Sequence, residues 1–140
     1  MKLSFILIAA IILFSANAYA LDPTGKYSYK EKGYSGEMTV SQTKAFPVTW
    51  RVDISTVSPA PQFHTCEVEA TGENIISSEK EIEAIFVSKV ERGDTPAKFT
   101  IKFTSKGALV DVQESGGTCG LNGYFGGKWA KTVAKKGKKK

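Results

Sequence analysis

The chain has 140 residues, with 19 Lys and Arg against 14 Asp and Glu, one His and two Cys. That length holds one domain with one core and is too small for two. A lone His64 rules out a histidine-built zinc site, and with no G-x-S-x-G elbow and no glycine-rich loop closed by Lys-Ser/Thr, the commonest hydrolase and nucleotide signatures are missing.

In chain order, residues 1–20 read as a secretory signal. Lys2 supplies the basic start, Phe5 to Phe14 form an apolar run, and Ala18-Tyr19-Ala20 supplies the small residues of a cleavage site. Ala16-Asn17-Ala18 is the second choice of site. The apolar run is about half the length needed to span a bilayer, so the expectation is export, to the periplasm or the extracellular space, of a domain at 21–133. In an oxidising compartment Cys66 and Cys119 are expected to form one disulfide. The absence of a C-x-x-C arrangement makes that bridge structural rather than redox-active.

From Lys26 to Trp129 the dominant period is two. Tyr27 and Tyr29, Met38 and Val40, Val48 to Ile54, Cys66 to Ala70, Phe99 to Phe103 and Ala108 to Val112 each alternate apolar with polar neighbours, as half-buried antiparallel strands do. Turn signals fall at Gly33, Phe46-Pro47, Ser58-Pro59-Ala60-Pro61, Gly72, Gly93-Asp94-Thr95-Pro96, Lys106-Gly107 and Ser115-Gly116-Gly117. Residues 78–86 carry a Ser78 to Glu81 capping-box spacing, yet Ile82, Ala84 and Phe86 keep the strand alternation; a strand is assigned, with a helix the alternative. The prediction is an all-β antiparallel meander of about eight strands, forming a small closed or nearly closed barrel with one disulfide. The first and last strands share a Gly-Lys-aromatic signature, at Gly25 and at Gly127, and are expected to pair. Inward Tyr27, Trp50, Phe99 and Phe103 predict a filled interior.

The pairs Glu67/Glu69 and Glu81/Glu83 each share the solvent face of a strand, which offers no apolar pocket to raise a catalytic pKa. His64 shares parity with Cys66 and is expected at the rim or in the core beside the disulfide. No catalytic residue, metal or cofactor is expected. Six glycines surround Cys119 between Ser115 and Trp129. Ser115, Gly116, Gly117, Leu121, Asn122 and Tyr124 are the candidate binding loop, with Ser58 to Gln62 a second. Residues 21–127 carry 11 basic and 14 acidic side chains, whereas seven lysines and no acids follow from Lys128 onward. The tail at 134–140 is expected to be disordered, with Lys135, Lys136, Lys138, Lys139 and Lys140 able to hold an anionic envelope surface. Nucleic acid is not an expected partner, since the body lacks a basic face with interleaved aromatics.

The signal, the Gly-x-Tyr opening strand, His64-Thr65-Cys66-Glu67-Val68 and the run from Cys119 to Trp129 together resemble small exported bacterial β-barrel proteins, some of them similar to periplasmic lysozyme inhibitors. The resemblance implies a non-enzymatic binding protein with a protein partner in the cell envelope, such as a cell-wall hydrolase. Those inhibitors carry a Ser-Gly-x-x-Tyr loop; here Ser35-Gly36 leads to Thr39 and Ser115-Gly116 leads to Cys119. Two alternatives stay open: a lipocalin-like carrier of a small apolar ligand, and an envelope protein held by its basic tail. The residues leave the oligomeric state undetermined.

Overall fold

A computed structural model describes residues 20–117, 119 and 123–133. Eight strands follow one another: β1 Gly25–Glu31, β2 Tyr34–Ala45, β3 Val48–Val57, β4 Thr65–Ser77, β5 Glu81–Ser88, β6 Lys98–Thr104, β7 Gly107–Glu114 and β8 Gly127–Lys131. Each pairs antiparallel with the next, and β8 returns to β1 through Tyr27↔Lys131 and Ser28↔Ala130, closing the barrel. The expected pairing of first and last strands is therefore present. Among the described strands, closure leaves none without a partner on either side.

The period of two determines which side chains meet. In β3, Trp50, Val52, Ile54 and Thr56 point inward while Arg51, Asp53 and Ser55 face water. Tyr27, Phe99 and Phe103 are buried as anticipated. Phe86 and Phe99 stack with ring centroids 5.5 Å apart, Phe125 meets Phe99 edge-on at 5.1 Å, and Tyr29 stacks on Trp129 at 4.8 Å. Three buried rings have their polar ends satisfied: the Tyr27 hydroxyl donates to Pro23 O (2.7 Å), Trp50 Nε1 to Asn74 Oδ1 (2.6 Å) and Trp129 Nε1 to Phe125 O (3.2 Å). Charged outer rows around an apolar interior are the inverse of a lipid-embedded barrel.

Three local expectations are refined. Residues 78–86 split: Ser78 to Lys80 form the connection, where the Ser78 hydroxyl accepts from Glu81 N (3.0 Å) and donates to Glu81 O (2.9 Å), and β5 begins at Glu81. The capping-box spacing thus closes a hairpin. Gly72 is no turn. It lies inside the long β4, where a Cβ would come 2.5 Å from Phe86 Cδ1, so the missing side chain admits the Phe86 ring. Gly107 opens β7, leaving Ser105-Lys106 as the turn.

Strand direction sorts the connections between two ends. The β1–β2, β3–β4, β5–β6 and β7–β8 connections lie at one end; β2–β3, β4–β5 and β6–β7 lie at the other, with both ends of the barrel chain. At that second end Thr132 N donates to Lys26 O (2.8 Å) and Lys131 N to Lys106 O (3.4 Å). The signal at 1–20, up to residue 19, and the lysine tail at 134–140 lie outside the described residues. The Cys66–Cys119 disulfide is formed, with Cα atoms 4.5 Å apart, and ties the start of β4 to the β7–β8 connection. Such a bridge is consistent with an exported protein.

Candidate functional site

Both loops singled out from sequence fall at the same end of the barrel, and that end is cross-tied. The two-residue turn Lys32-Gly33 has both residues at positive φ (51° and 84°), the geometry that matches strand twist in a tight hairpin. A Cβ on Gly33 would sit 2.9 Å from Pro59 Cβ, so the hairpin tip rests on the β3–β4 connection. That connection is closed by Ser58, which donates its backbone N–H to His64 O and accepts from His64 N at its hydroxyl, both at 2.8 Å. The β5–β6 connection is closed in the same way: Ser88 N donates to Ala97 O (2.9 Å) and Ala97 N to Ser88 Oγ (2.8 Å). Gly117 N donates to Thr95 O (3.0 Å), joining it to the β7–β8 connection. Inward-facing Thr56 donates its hydroxyl to Tyr124 O (2.8 Å). With the disulfide, these contacts link all four connections, and such preorganisation lowers the ordering cost of binding.

Against this frame two aromatics stay at the surface. Phe63, 63% exposed, has a φ of 45°, a left-handed conformation uncommon for a bulky residue. Tyr124 is 49% exposed and meets Tyr34 edge-on, with centroids 6.3 Å apart and planes at 68°. Tyr29, Glu31, Lys32, Tyr34, Gly123 and Tyr124 line a cleft of ≈ 520 Å³ there. Glycines keep it open: a Cβ on Gly127 would come 2.6 Å from Glu31 Oε2, and one on Gly126 would come 2.7 Å from the Tyr124 hydroxyl. Burial first, then the negative charge of Glu31 and the phenols of Tyr124 and Tyr34, push the Tyr29 hydroxyl up to about 12. It is therefore protonated at neutral pH.

A second feature lies on the outer face of β2, β3 and β4. Glu37, Asp53, Glu67, Glu69 and Glu91, with Lys89 as the one basic lining residue, wall a shallow groove of ≈ 650 Å³. Cross-strand registers stack the acids in rows, Glu37 with Ser55 and Glu67, Asp53 with Thr39 and Glu69. Arg51 offsets part of this charge, reaching Asp53 at 3.1 Å and Glu69 at 3.3 Å. The hydrogen bond and charge of Asp53, then the charge of Glu69, hold the guanidinium pKa above its ordinary value. The other acidic pair, Glu81 and Glu83, meets Lys102 at 3.3 and 3.8 Å on the outer surface. Among the described residues no three His, Cys, Asp or Glu side chains converge as a metal site requires.

The candidate binding loop divides in two. Gly116 and Gly117, which follow Ser115, lie against the β5–β6 connection, whereas Tyr124 faces the β1–β2 hairpin across the cleft. Leu121 and Asn122 lie outside the described residues. His64 sits exposed at the rim beside buried Cys66, and Phe125 and Trp129 belong to the core. Residue-by-residue reading missed Glu31, Lys32, Tyr34 and Phe63. The signal for the first three was present in the pairing of β1 with β8, which necessarily brings the β1–β2 hairpin alongside the segment preceding Gly127. No family model, curated protein or solved structure matches this chain.

Proposed function

We propose that this is an exported, non-enzymatic binding protein of the periplasm or extracellular space that engages a protein partner in the cell envelope, a cell-wall hydrolase such as lysozyme. The observation that carries the reading is the cross-tied end of the barrel, where four connections are locked together while Phe63 and Tyr124 remain exposed. Aromatic side chains on a rigid support are the residues that dominate interface energies. The acidic groove beside it adds charge complementarity toward the cationic surface common to lysozymes.

Val133 follows Thr132, which is bonded to Lys26 at the end of the barrel away from Phe63 and Tyr124. Attachment to anionic envelope material through Lys135, Lys136, Lys138, Lys139 and Lys140 belongs to the same proposal. The carrier alternative is weaker, because Tyr27, Trp50, Phe86, Phe99, Phe103 and Phe125 occupy the space a ligand would need.

The test is titration of the secreted protein against lysozymes of several types, following lysis of cell walls. Micromolar protein is expected to suppress lysis, Phe63→Ala to weaken suppression with the melting temperature unchanged, and Tyr124→Ala to weaken it with a drop of a few degrees at most from the lost Tyr34 contact. Full lytic activity in the presence of micromolar protein sinks the hydrolase reading.

A further inference from the structure

The cleft between the β1–β2 hairpin and Tyr124 has a chemistry that docking on a protein does not require. Tyr34 and Tyr124 form a corner, their planes inclined at 68°, and aromatic faces of this kind pack against the C–H faces of a pyranose ring. Hydrogen-bonding groups surround that corner: the Tyr29 and Tyr124 hydroxyls can donate or accept, Glu31 accepts through two oxygens and Lys32 donates. Glu31 and Lys32 balance in charge, which suits a neutral polyol better than an ion. The volume, ≈ 520 Å³, lies within the range of small-molecule sites. Gly126 and Gly127 give the Tyr124 hydroxyl and the Glu31 carboxylate space that any side chain would fill. The Tyr124 strut is fixed from below by Thr56, and Tyr29 by its stack on Trp129.

We propose that Tyr29, Glu31, Lys32, Tyr34 and Tyr124 form a saccharide subsite, taking one or two pyranose rings of a neutral oligosaccharide. The site is independent of the hydrolase reading: it operates on glycan alone, with no enzyme present.

The experiment is an amide chemical-shift titration of the secreted protein with trimers of glucose, of galactose and of N-acetylglucosamine, and with choline as a cationic comparator. At least one trimer is expected to bind with a Kd of about 1 mM or tighter. Shifts should be confined to residues 29–34, to 123–127 and to their immediate neighbours. Tyr34→Ala and Tyr124→Ala are each expected to weaken binding by about tenfold, while Tyr124→Phe retains the stacking face and most of the affinity. Unchanged spectra outside the cleft show that the variants fold. Binding that survives both alanine variants, shifts located elsewhere, or no response to any trimer overturns the proposal. A response to choline without one to the sugars reassigns the cleft as a cation cage and likewise overturns it. Lysozyme inhibition, measured separately, neither supports nor removes this site.

Discussion

Trp129 bears the closure of the barrel, and its removal has a calculable consequence. It is 2% exposed, stacks on Tyr29 at 4.8 Å and donates its indole N–H to Phe125 O at 3.2 Å, all from a strand of five residues. Truncating a buried Trp to Ala costs about 3 to 5 kcal/mol through lost transfer energy and the cavity left behind. The orphaned Phe125 carbonyl adds about 1 kcal/mol if water cannot reach it. Against a total of about 5 to 15 kcal/mol for a domain, Trp129→Ala should remove at least about a quarter of the stability. Trp129→Phe keeps a ring against Tyr29 and loses the indole N–H, so it should cost about 1 to 2 kcal/mol. Equilibrium urea unfolding measures both, with Trp50 on β3 as the remaining indole reporter. A loss below about 1.5 kcal/mol in Trp129→Ala would refute the argument, because it would mean that β8 is not needed to hold the interior together.

Reducing the Cys66–Cys119 bridge, which spans a sequence separation of 53, frees denatured-chain entropy worth about 4 kcal/mol. Comparing urea midpoints of the oxidised protein and of Cys66→Ser/Cys119→Ser should show this; a difference under about 1 kcal/mol contradicts a structural role. Alkaline pH should destabilise the fold: burial, with the charge of Asp22, raises the Tyr27 phenol well above its ordinary value, and Tyr29 rises to about 12. Below pH 10 both states hold these protons, so the contribution is constant. Above pH 10 the unfolded chain releases them first, and each phenol then costs about 1.4 kcal/mol of stability per pH unit. The melting temperature should therefore fall between pH 10 and 12, less steeply in Tyr29→Phe, and a flat profile across that interval would count against buried phenols.

The strand count, the inward set and the disulfide were legible because each depends on local rules. A pleated strand sends alternate residues to opposite faces, so Trp50, Val52 and Ile54 declare a buried face without reference to any partner. Two cysteines admit a single intramolecular bridge. Glycine was read less well, since a turn, a bulge and a close approach use the same residue: Gly33 makes a turn, whereas Gly72 admits the Phe86 ring from a neighbouring strand. Only the partner atom distinguishes them, and that atom is remote in sequence. The cleft was illegible for the same reason. Tyr34 and Tyr124 are ninety residues apart, and they meet because β8 pairs with β1 and turns the two ends of the chain into neighbours. Alternation of apolar side chains thus determined that this chain is a barrel with a filled interior. Closure decided which surface residues stand together, because it is a property of the whole circuit of strands and of no single segment.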